Sequence, residues 1–377
     1  MTCATLTPTP DLYIGLMSGT SLDGVDGVLV DFQGHTQVLQ HAGCGFDAGL
    51  RAELLALNTA GDNELHRAAL AANALVACYA DVVQQLLQRA GLPPQAVQAI
   101  GAHGQTVRHR PQMFDGTGYT LQLNNPALLA ERCSIRVVAD FRSRDVAAGG
   151  QGAPLVPAFH QSVFGQPGQT LLALNIGGIS NLSVLPADGE VSGFDCGPGN
   201  ALMDAWCQRH TGQAYDDDGA WAASGSVLPA LLQRLLDEPF LLQPPPKSTG
   251  RDLFNPDWLQ QRLTLLPPGT RAEDVQATLT EFTARACVDG ALRWGRDAAQ
   301  LLVCGGGALN GRLMARITAL LPGMHVQSTM ASGLPPLQVE AAAFAWLARQ
   351  TLLGLPGNLA RVTGALGPRV LGAVYPA

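Results

Sequence analysis

Lysine is almost missing from this sequence: the 377 residues include 23 lysines and arginines, and Lys247 is the only lysine among them. A nucleotide site that depends on a P-loop lysine would have to use that residue, yet no G-x-x-x-x-G-K-[ST] segment occurs. The G-x-S-x-G segment of the α/β-hydrolases is also absent. Any phosphate binding by this chain therefore has to rely on backbone amides and a metal ion.

Other features are absent as well. The eight cysteines are scattered without a C-x-x-C pair, which excludes the common zinc pattern and the dense disulfide framework of small secreted domains. The net charge of −7 provides no basic face, so we expect no nucleic-acid partner. No apolar run approaches the length of a membrane span, and the segment MTCATLTPTPDLY lacks the features of a signal peptide. The expectation is a cytoplasmic protein without a membrane partner.

What is present is a repeated alternation of strands and helices. The length exceeds what one core comfortably supports, and the 47% hydrophobic content is ample for two. Each half runs from a strand through a turn of small residues to a second strand, then helices, then a later strand that ends in glycines. We therefore expect an α/β protein with domains at 1–168 and 169–377, and a helix near 337–353 that crosses back to the first domain.

Two turns of small polar residues follow the first strand of each half. In YIGLMSGTSLDGVD, strands at 12–16 and 25–32 flank the first turn, and LNIGGISNLSVL contains the second. Such a turn exposes amides and hydroxyls that bind anions, although a single one is more often an ordinary hairpin turn. Their corresponding positions suggest that they grip a polyphosphate from both sides of a cleft.

A third glycine cluster, VCGGGALNGRLM, resembles a dinucleotide fingerprint only in part. It reads Gly305-x-Gly307-x-x-Asn310, so the third glycine is missing, and it lies late in the chain. It is better interpreted as a turn that lets a flat base approach the backbone beside a helix start.

Three polar side chains are candidates for chemistry. Asp195, in GFDCGPGN, is expected at a strand end, where it is either a carboxylate base or a structural residue; Asn200 is better placed to cap the following helix. His103, expected after a short strand at 97–100, either contacts substrate or has a structural role. Glu340 begins an alanine-rich helix, where on its own it would interact with the helix dipole.

The motifs taken together carry a family resemblance. In chain order they are GLMSGTSLDGVD, GAHGQTVRH, ADFRSRDVAAGGQGAPLVP, LNIGGISNLSVL, GFDCGPGNALMD, PPPKSTGRDLFN, VCGGGALNGRLM and VTGALGPRVLGAVYP. This series, which spans nearly the whole chain, resembles the anhydro-N-acetylmuramic acid kinases. Cys196 is a mild departure, because a small residue such as threonine is expected there.

The resemblance implies a fold of two ribonuclease-H-like domains of the actin and hexokinase type, with mixed sheets flanked by helices and a central cleft. It implies an ATP-dependent kinase that opens the anhydro bridge of 1,6-anhydro-N-acetylmuramic acid with water and phosphorylates its sixth oxygen. The products are N-acetylmuramic acid 6-phosphate and ADP, and the setting is peptidoglycan recycling and amino-sugar degradation. ATP, Mg²⁺ and a homodimeric state are part of the same expectation.

Site residues follow from the same resemblance. Asp195 matches the catalytic base. Arg142 and Glu340 match sugar-side residues, and we place His103 and Gln105 with them. The nucleotide-binding residues are expected to be Gly19, Thr20, Ser21, Leu22, Asp23, Gly24, Val25, Asp26, Asn175, Gly177, Gly178, Gly305, Gly306, Gly307 and Asn310.

Two alternatives remain open from the residues. One is a sugar kinase or phosphatase of the same superfamily that acts on an ordinary hydroxyl. The other is a non-catalytic nucleotide switch, which would have no use for a base aimed at a sugar. The role of Asp195 discriminates between a switch and an enzyme.

Overall fold

The computed structural model describes residues 10–19, 21–250, 253–264 and 266–377. The strands in chain order are β1 Leu12–Ser18, β2 Gly24–Asp31, β3 Gln37–Gly45, β4 Ala99–Pro111, β5 Gly118–Leu123, β6 Val137–Ala139, β7 Leu171–Ile176, β8 Ile179–Leu185, β9 Ser192–Pro198, β10 Gln300–Cys304, β11 His325–Ser328 and β12 Ala373–Tyr375. The helices are α1 Ala48–Ala56, α2 Glu64–Ala90, α3 Pro126–Cys133, α4 Ser143–Ala147, α5 Val156–Phe164, α6 Ala201–Thr211, α7 Ala220–Ser224, α8 Pro229–Leu236, α9 Pro239–Leu242, α10 Pro256–Leu263, α11 Ala272–Trp294, α12 Gly311–Leu320, α13 Val339–Leu352 and α14 Ala360–Thr363.

Contacts divide the chain into two compact units. Unit 1 comprises Met1–Phe159 and Gln338–Ala377, and unit 2 comprises His160–Leu337. Each unit has its own sheet and its own hydrophobic core. The domain boundary at 168/169 stays a prediction.

The two sheets share one topology. In unit 1 the strand order is β12-β6-β4-β1-β2-β3, with β5 paired to β4, and in unit 2 it is β11-β10-β7-β8-β9. Each sheet has a three-stranded antiparallel meander, β1-β2-β3 or β7-β8-β9, whose first strand is followed by two parallel neighbours. This order is that of the ribonuclease-H-like fold. The predicted α/β fold with mixed sheets flanked by helices is confirmed.

Helix α2 is long because its apolar residues recur at helical spacing. Its fully buried face includes Leu75, Val76, Tyr79 and Val82, which pack into the core of unit 1. By length and composition alone α2 would also be able to cross a membrane, and half of its most apolar window is buried in the protein. Polar residues interrupt the apolar ones along α2, so this helix contains no uninterrupted apolar run of membrane-spanning length, and the expected absence of a membrane partner stays a prediction.

Helix α13 packs directly on the sheet of unit 1 through two glycines. A Cβ at Gly15 of β1 would overlap the carbonyl oxygen of Ala341, and one at Gly101 of β4 would overlap that of Phe344. Glycine therefore permits a close backbone approach at both positions. The approach places Ala341, in the first turn of α13 beside Glu340, against the middle of β1.

Strand β4 is longer than the sequence predicted. We expected a strand only at 97–100, but β4 continues through the GAHGQT segment to Pro111 and pairs with β5. The glycines of this segment hid the strand, because glycine lowers β propensity. Here the glycine at position 101 instead serves the packing of α13, and the one at 104 donates its amide to the hydroxyl of Tyr79.

Candidate active site

The first predicted phosphate turn joins β1 to β2 in unit 1. The amide of Leu22 donates to the carbonyl of Gly19 over 3.3 Å, and Ser21 Oγ donates to Asp23 Oδ1 over 2.7 Å. Leu22 has a φ of 57°, and its buried side chain packs with Leu54 under the turn. This anchor leaves Ser21 and Asp23 exposed. Thr20 lies outside the described residues.

The remaining residues of this segment belong to strand β2. Gly24 packs closely on the backbone of Cys44, and Val25 is part of the core. Asp26 is exposed and pairs through Oδ1 with His41 Nε2 at 3.1 Å. Among the described residues of the predicted segment, the exposed ones are thus Ser21, Asp23 and Asp26.

Buried polar side chains form hydrogen bonds with the backbone of this turn and of the strand before it. Ser18 Oγ donates to Gln105 Oε1, and Gln105 Nε2 donates to the carbonyl of Gly19 over 3.1 Å. Gln105 is fully buried, and His103 of the same strand faces the carbonyl of Ser18 through Nδ1 at 3.3 Å. Both side chains therefore contact β1 or the turn that follows it.

His103 also contacts Arg142, which lies at the start of α4. Arginine Nε and Nη2 approach His103 Nε2 at 3.2 and 2.9 Å, and Nη1 donates to the carbonyl of Gly152 at 2.9 Å. Burial lowers the pKa of Arg142 to about 10, against the opposing effect of the Glu340 and Asp145 carboxylates. His103, Arg142 and Glu340 thus form a charged and polar group within unit 1.

The loop that carries Arg142 is held by a buried carboxylate. Asp145 is fully buried and accepts from Gly152 N at 2.7 Å, Asn358 Nδ2 at 2.6 Å and Thr363 Oγ1 at 2.7 Å. These three hydrogen bonds compensate the free-energy cost of burying the Asp145 carboxylate. Asp145 therefore ties Gly152, whose carbonyl accepts from Arg142, to Asn358 and Thr363 near the C-terminal end of unit 1.

In unit 2 the two glycine segments lie at the ends of adjacent parallel strands. Cys304 of β10 pairs with Asn175 of β7, so the chain leaves both strands at the same edge of the sheet. Gly305 has a φ of 76°, and a Cβ there would overlap Asn175 Oδ1. A Cβ at Gly307 would overlap the side chain of Ile176. Gly305–Gly307 and Asn175–Gly178 therefore form one continuous surface.

Asn200 links this surface to helix α6. Its amide donates to the carbonyl of Gly177 at 2.7 Å, and its side-chain Nδ2 donates to the carbonyl of Ile176 at 3.1 Å. The expected side-chain cap on α6 is not formed, since Asn200 has no such hydrogen bond to the helix. Its side chain holds the turn at Gly177 instead. A Cβ at Gly306 would lie 3.2 Å from Asn200 Nδ2.

Asn310 begins helix α12. Its Oδ1 accepts from the amide of Leu313 at 2.9 Å, which is a helix N-cap. Beside it, the amide of Gly311 donates to Asp218 Oδ1 at 2.8 Å, and Gly219 packs closely on the Asn310 side chain. The residues that follow the glycine segment, Asn310 and Gly311, thus contact Gly219 and Asp218.

Asp195 lies within β9 rather than at its end. Its Oδ2 accepts from the amide of Thr249 at 2.8 Å, and its own amide donates to the carbonyl of Lys247 at 3.1 Å. Burial raises the pKa of Asp195 to about 7, while the Thr249 amide and the Lys247 charge act in the opposite direction. The carboxyl is partly buried and has Oδ2 held by the backbone, as suits a group that takes up a proton near neutral pH.

Comparison with known proteins decides the family. A sequence model of the family described as anhydro-N-acetylmuramic acid kinase matches residues 11–377. The chain belongs to the anhydro-N-acetylmuramic acid kinase family. The family predicted from the motifs is confirmed.

Relatives that carry the family name cover nearly all of the chain. The anhydro-N-acetylmuramic acid kinase of Variovorax paradoxus (strain S110) is 65% identical over 374 residues, which cover 97% of this chain and 99% of the relative. That of Albidiferax ferrireducens (strain ATCC BAA-621 / DSM 15236 / T118) is 63% identical over 388 residues, with 97% and 100% covered. That of Cupriavidus pinatubonensis (strain JMP 134 / LMG 1197) is 60% identical over 369 residues, with 97% and 98% covered.

In this anhydro-N-acetylmuramic acid kinase family member, the structure groups the predicted site residues by unit. Unit 1 brings the Gly19–Asp23 turn, apart from Thr20, together with Gln105 and His103, and His103 with Arg142. Unit 2 brings Asn175–Gly178 together with Gly305–Gly307. The individual roles of these residues stay predictions.

Sequence reasoning missed several contacts around these residues. It gave no role to Thr249, Asp218 or Asp145, although each contacts a predicted residue or the loop that carries one. The polar residues of PPPKSTG, which stand out in a proline-rich segment, were a usable signal for Thr249. The run of acidic residues before Gly219 was a signal for Asp218.

Proposed function

We propose that this chain catalyses the ATP-dependent hydrolytic opening of 1,6-anhydro-N-acetylmuramic acid and phosphorylation of its O6. The products are N-acetylmuramic acid 6-phosphate and ADP, as required in peptidoglycan recycling and amino-sugar degradation. The observation that carries the proposal is the family match over residues 11–377, with relatives above 60% identity that bear the family name. ATP is the co-substrate, and an amino sugar is the acceptor.

The anhydro bridge dictates the chemistry. O6 is bonded to the anomeric carbon, so it has no proton for a base to remove. A base instead takes a proton from water, whose oxygen forms a bond to the anomeric carbon. The bond between that carbon and O6 breaks, and O6 attacks the γ-phosphorus as the bond to the ADP oxygen breaks. One proton transfer therefore drives two substitutions, provided that the reacting atoms are aligned.

Asp195 is our candidate for the base. The Thr249 amide holds Oδ2, which leaves Oδ1 to accept a proton from water. The pKa of about 7 that burial produces matches the pH at which such a base is both ionised and able to take a proton. The structural alternative, a helix cap, receives no support because Asp195 is three residues inside the end of β9.

The two glycine turns are our candidates for phosphate binding. The carbonyl oxygens of Gly177 and Gly178 accept hydrogen bonds from the backbone amides of residues 199–201. The carbonyl groups of this turn are therefore already hydrogen-bonded within the protein. We assign the amides at Gly177 and Gly178, and those at Ser21 and Asp23, to the nucleotide phosphates. We assign the segment Gly305–Gly307, with Asn310 at its edge, to the nucleoside.

Each unit, taken by itself, carries oxygen groups that suit Mg²⁺. In unit 1 the Asp23 and Asp26 carboxylates are exposed, and in unit 2 Asn175 Oδ1 is buried without a hydrogen-bond partner. Among the described residues there is no group of three or more His, Cys, Asp or Glu arranged for a metal. Magnesium in nucleotide sites is held through few protein carboxylates, with phosphate oxygens and waters. Asp23 and Asp26 would orient those waters, and the ion would neutralise phosphate charge.

The group of His103, Arg142 and Glu340 is our candidate for sugar binding, with Gln105 fixing the strand beneath it. Arginine and a carboxylate provide donors and acceptors for the polar groups of an amino sugar. The hydrogen bonds from Arg142 to His103 and Gly152 fix the guanidinium orientation before substrate arrives. Preorganisation of this kind lowers the entropic cost of binding.

The proposal also covers the location and the assembly expected for this family. We assign the enzyme to the cytoplasm, as a homodimer without a nucleic-acid or membrane partner. The net charge of −7 supports the absence of a nucleic-acid partner.

The direct test measures ADP release with ATP alone and after addition of 1,6-anhydro-N-acetylmuramic acid. Sugar-dependent release with N-acetylmuramic acid 6-phosphate as product is expected. Asp195→Asn should lose about 10²- to 10⁴-fold in kcat while ATP affinity is retained. Slow ADP release that does not depend on the sugar would indicate a nucleotide switch. Phosphorylation of N-acetylmuramic acid but not of the anhydro sugar would indicate an ordinary sugar kinase.

A further inference from the structure

The only lysine of the chain is folded back onto its own loop in unit 2. Lys247 Nζ donates to the carbonyls of Phe240 and Leu241, at 3.2 and 3.0 Å, where helix α9 ends. The same ammonium lies 4.7 Å from the ring centroid of Phe240 and 5.9 Å from that of Phe194. An ammonium group has three hydrogen-bond donors, and Lys247 uses two of them to hold the loop. The side chain thus fastens residue 247 to α9 and to the strand beneath it.

The backbone of this loop holds Asp195. Strand β9 is the edge of its sheet, with β8 on one side. On the other side the Asp195 amide donates to the Lys247 carbonyl at 3.1 Å, and the Thr249 amide donates to Asp195 Oδ2 at 2.8 Å. The segment from Lys247 to Thr249 therefore acts as a short clasp that fixes both the backbone and the carboxylate of Asp195.

We propose that Lys247 is a positioning residue for the reaction: its ammonium holds the clasp in place, and the clasp holds Asp195 in the orientation of a base. The inference rests on the proposed function, because it takes Asp195 as the group that receives the proton from water. Lys247 itself touches neither water nor substrate in this role.

The charge of Lys247 has a second effect on Asp195. A nearby cation favours the ionised carboxylate, which is the form that accepts a proton. The other charged groups that face Lys247 are Asp289 and Arg293 of α11, which form an ion pair with each other at 2.9 Å. The neighbouring thiol of Cys196 is neutral, since burial raises its pKa. Lys247 is therefore the cation that acts on Asp195 directly.

Substitution separates this role from a purely structural one. Lys247→Met keeps an apolar stem over the phenylalanine rings but removes the charge and the donors, whereas Lys247→Arg keeps both in a different shape. Gln243→Ala, at an exposed position of the same loop, is the matched control. The pH dependence of kcat and the KM values for ATP and sugar are measured for each variant.

For Lys247→Met we expect kcat to fall about 10- to 100-fold, since small displacements of a reacting group have effects of this size. The acid limb of the kcat profile should move up by about one pH unit, because a cation near Asp195 is lost. The KM for ATP should stay within about twofold of the wild-type value, and Lys247→Arg should recover part of kcat. Wild-type kcat and an unmoved limb in Lys247→Met would overturn the proposal.

A chemical test uses the folded protein and avoids effects of substitution on folding. Lys247 is partly exposed and lines a cavity of about 390 Å³, so a small acetylating reagent such as N-acetoxysuccinimide has access to it. The chain contains no other lysine, and the Lys247→Arg variant controls for acetylation of the terminal amine. Activity should fall in proportion to acetylation at residue 247, followed by mass spectrometry. Full acetylation there with full activity would overturn the proposal.

Failure of the inference is distinguishable from failure of the proposed function. If Asp195→Asn retains wild-type kcat, the base is misassigned whatever the Lys247 variants do. If Asp195→Asn is inactive while Lys247→Met is unchanged, the positioning role alone is wrong.

Discussion

Arg142 directs two nitrogens at a single acceptor, Nε2 of His103, over 3.2 and 2.9 Å. Because arginine can only donate, Nε2 must accept, and the proton of a neutral ring lies on Nδ1, which faces the Ser18 carbonyl at 3.3 Å. Burial and the Arg142 charge lower the pKa of His103 to about 3. His103 is therefore neutral throughout the pH range of an enzyme assay.

The first prediction concerns this histidine. His103→Asn should raise the KM for the sugar about tenfold, the effect of losing one hydrogen bond to a charged group. The acid limb of kcat near pH 7 should not move, because His103 does not titrate there. Steady-state kinetics from pH 5 to 9 check both, with exposed His66→Asn as the control. A limb displaced in His103→Asn alone would show that the histidine carries a proton in the wild-type enzyme.

The second prediction concerns the phosphate turn of unit 2. A Cβ at Gly177 would lie 3.7 Å from its nearest neighbour, so Gly177→Val should fold. ATP affinity should nevertheless fall about tenfold or more, because the new side chain would stand where the phosphate approaches the backbone. Gly323→Val, at another open position of unit 2, should bind ATP normally. Calorimetry that finds wild-type ATP affinity in folded Gly177→Val would remove the phosphate role from this turn.

The third prediction concerns the stability of Asp195→Asn. The pKa of Asp195 is about 7 in the folded protein and 3.8 as the reference value, so the folded state binds the proton more tightly than the unfolded state. Wild-type stability is therefore lost as pH rises from about 4 to about 7, and the loss persists above that range. Asp195→Asn lacks this loss and should be more stable than wild type at pH 8.

Thermal unfolding at pH 4 and pH 8 checks this relation. The stabilising effect of Asp195→Asn should be largest at pH 8 and nearly absent at pH 4. The Asp188→Asn variant, at an exposed position, is the control for the same substitution away from Asp195. An Asp195→Asn variant that is equally or less stable than wild type at pH 8 would contradict the raised pKa.

The fourth prediction concerns the carboxylate that holds the Arg142 loop. Asp145→Ala leaves the amide of Gly152, Asn358 Nδ2 and Thr363 Oγ1 without their acceptor. The free energy of unfolding should fall by about 2–4 kcal/mol, and the KM for the sugar should rise because Arg142 is no longer fixed. Urea unfolding and kinetics measure the two effects. Exposed Arg144→Ala should change neither, and wild-type behaviour of Asp145→Ala would refute the anchoring role.

The local parts of this structure were readable from the sequence, and the long-range contacts were not. The β1–β2 hairpin with its turn, and helix α11 over residues 272–294, follow from residue periodicity and turn residues. The hydrogen bond from Thr249 to Asp195 joins residues 54 positions apart, and that from Thr363 to Asp145 joins residues 218 apart. Periodicity reports which face of an element is buried, but not which distant loop will contact it.

The central claim is that water attacks the sugar and O6 attacks phosphorus, and oxygen labelling tests it most directly. The reaction is run in ¹⁸O-labelled water with 1,6-anhydro-N-acetylmuramic acid and ATP, and the product is analysed by mass spectrometry and ³¹P NMR. The account predicts label on the anomeric carbon of N-acetylmuramic acid 6-phosphate and none in its phosphate group. Label in the phosphate would show that water attacks phosphorus, which would contradict the role of Asp195.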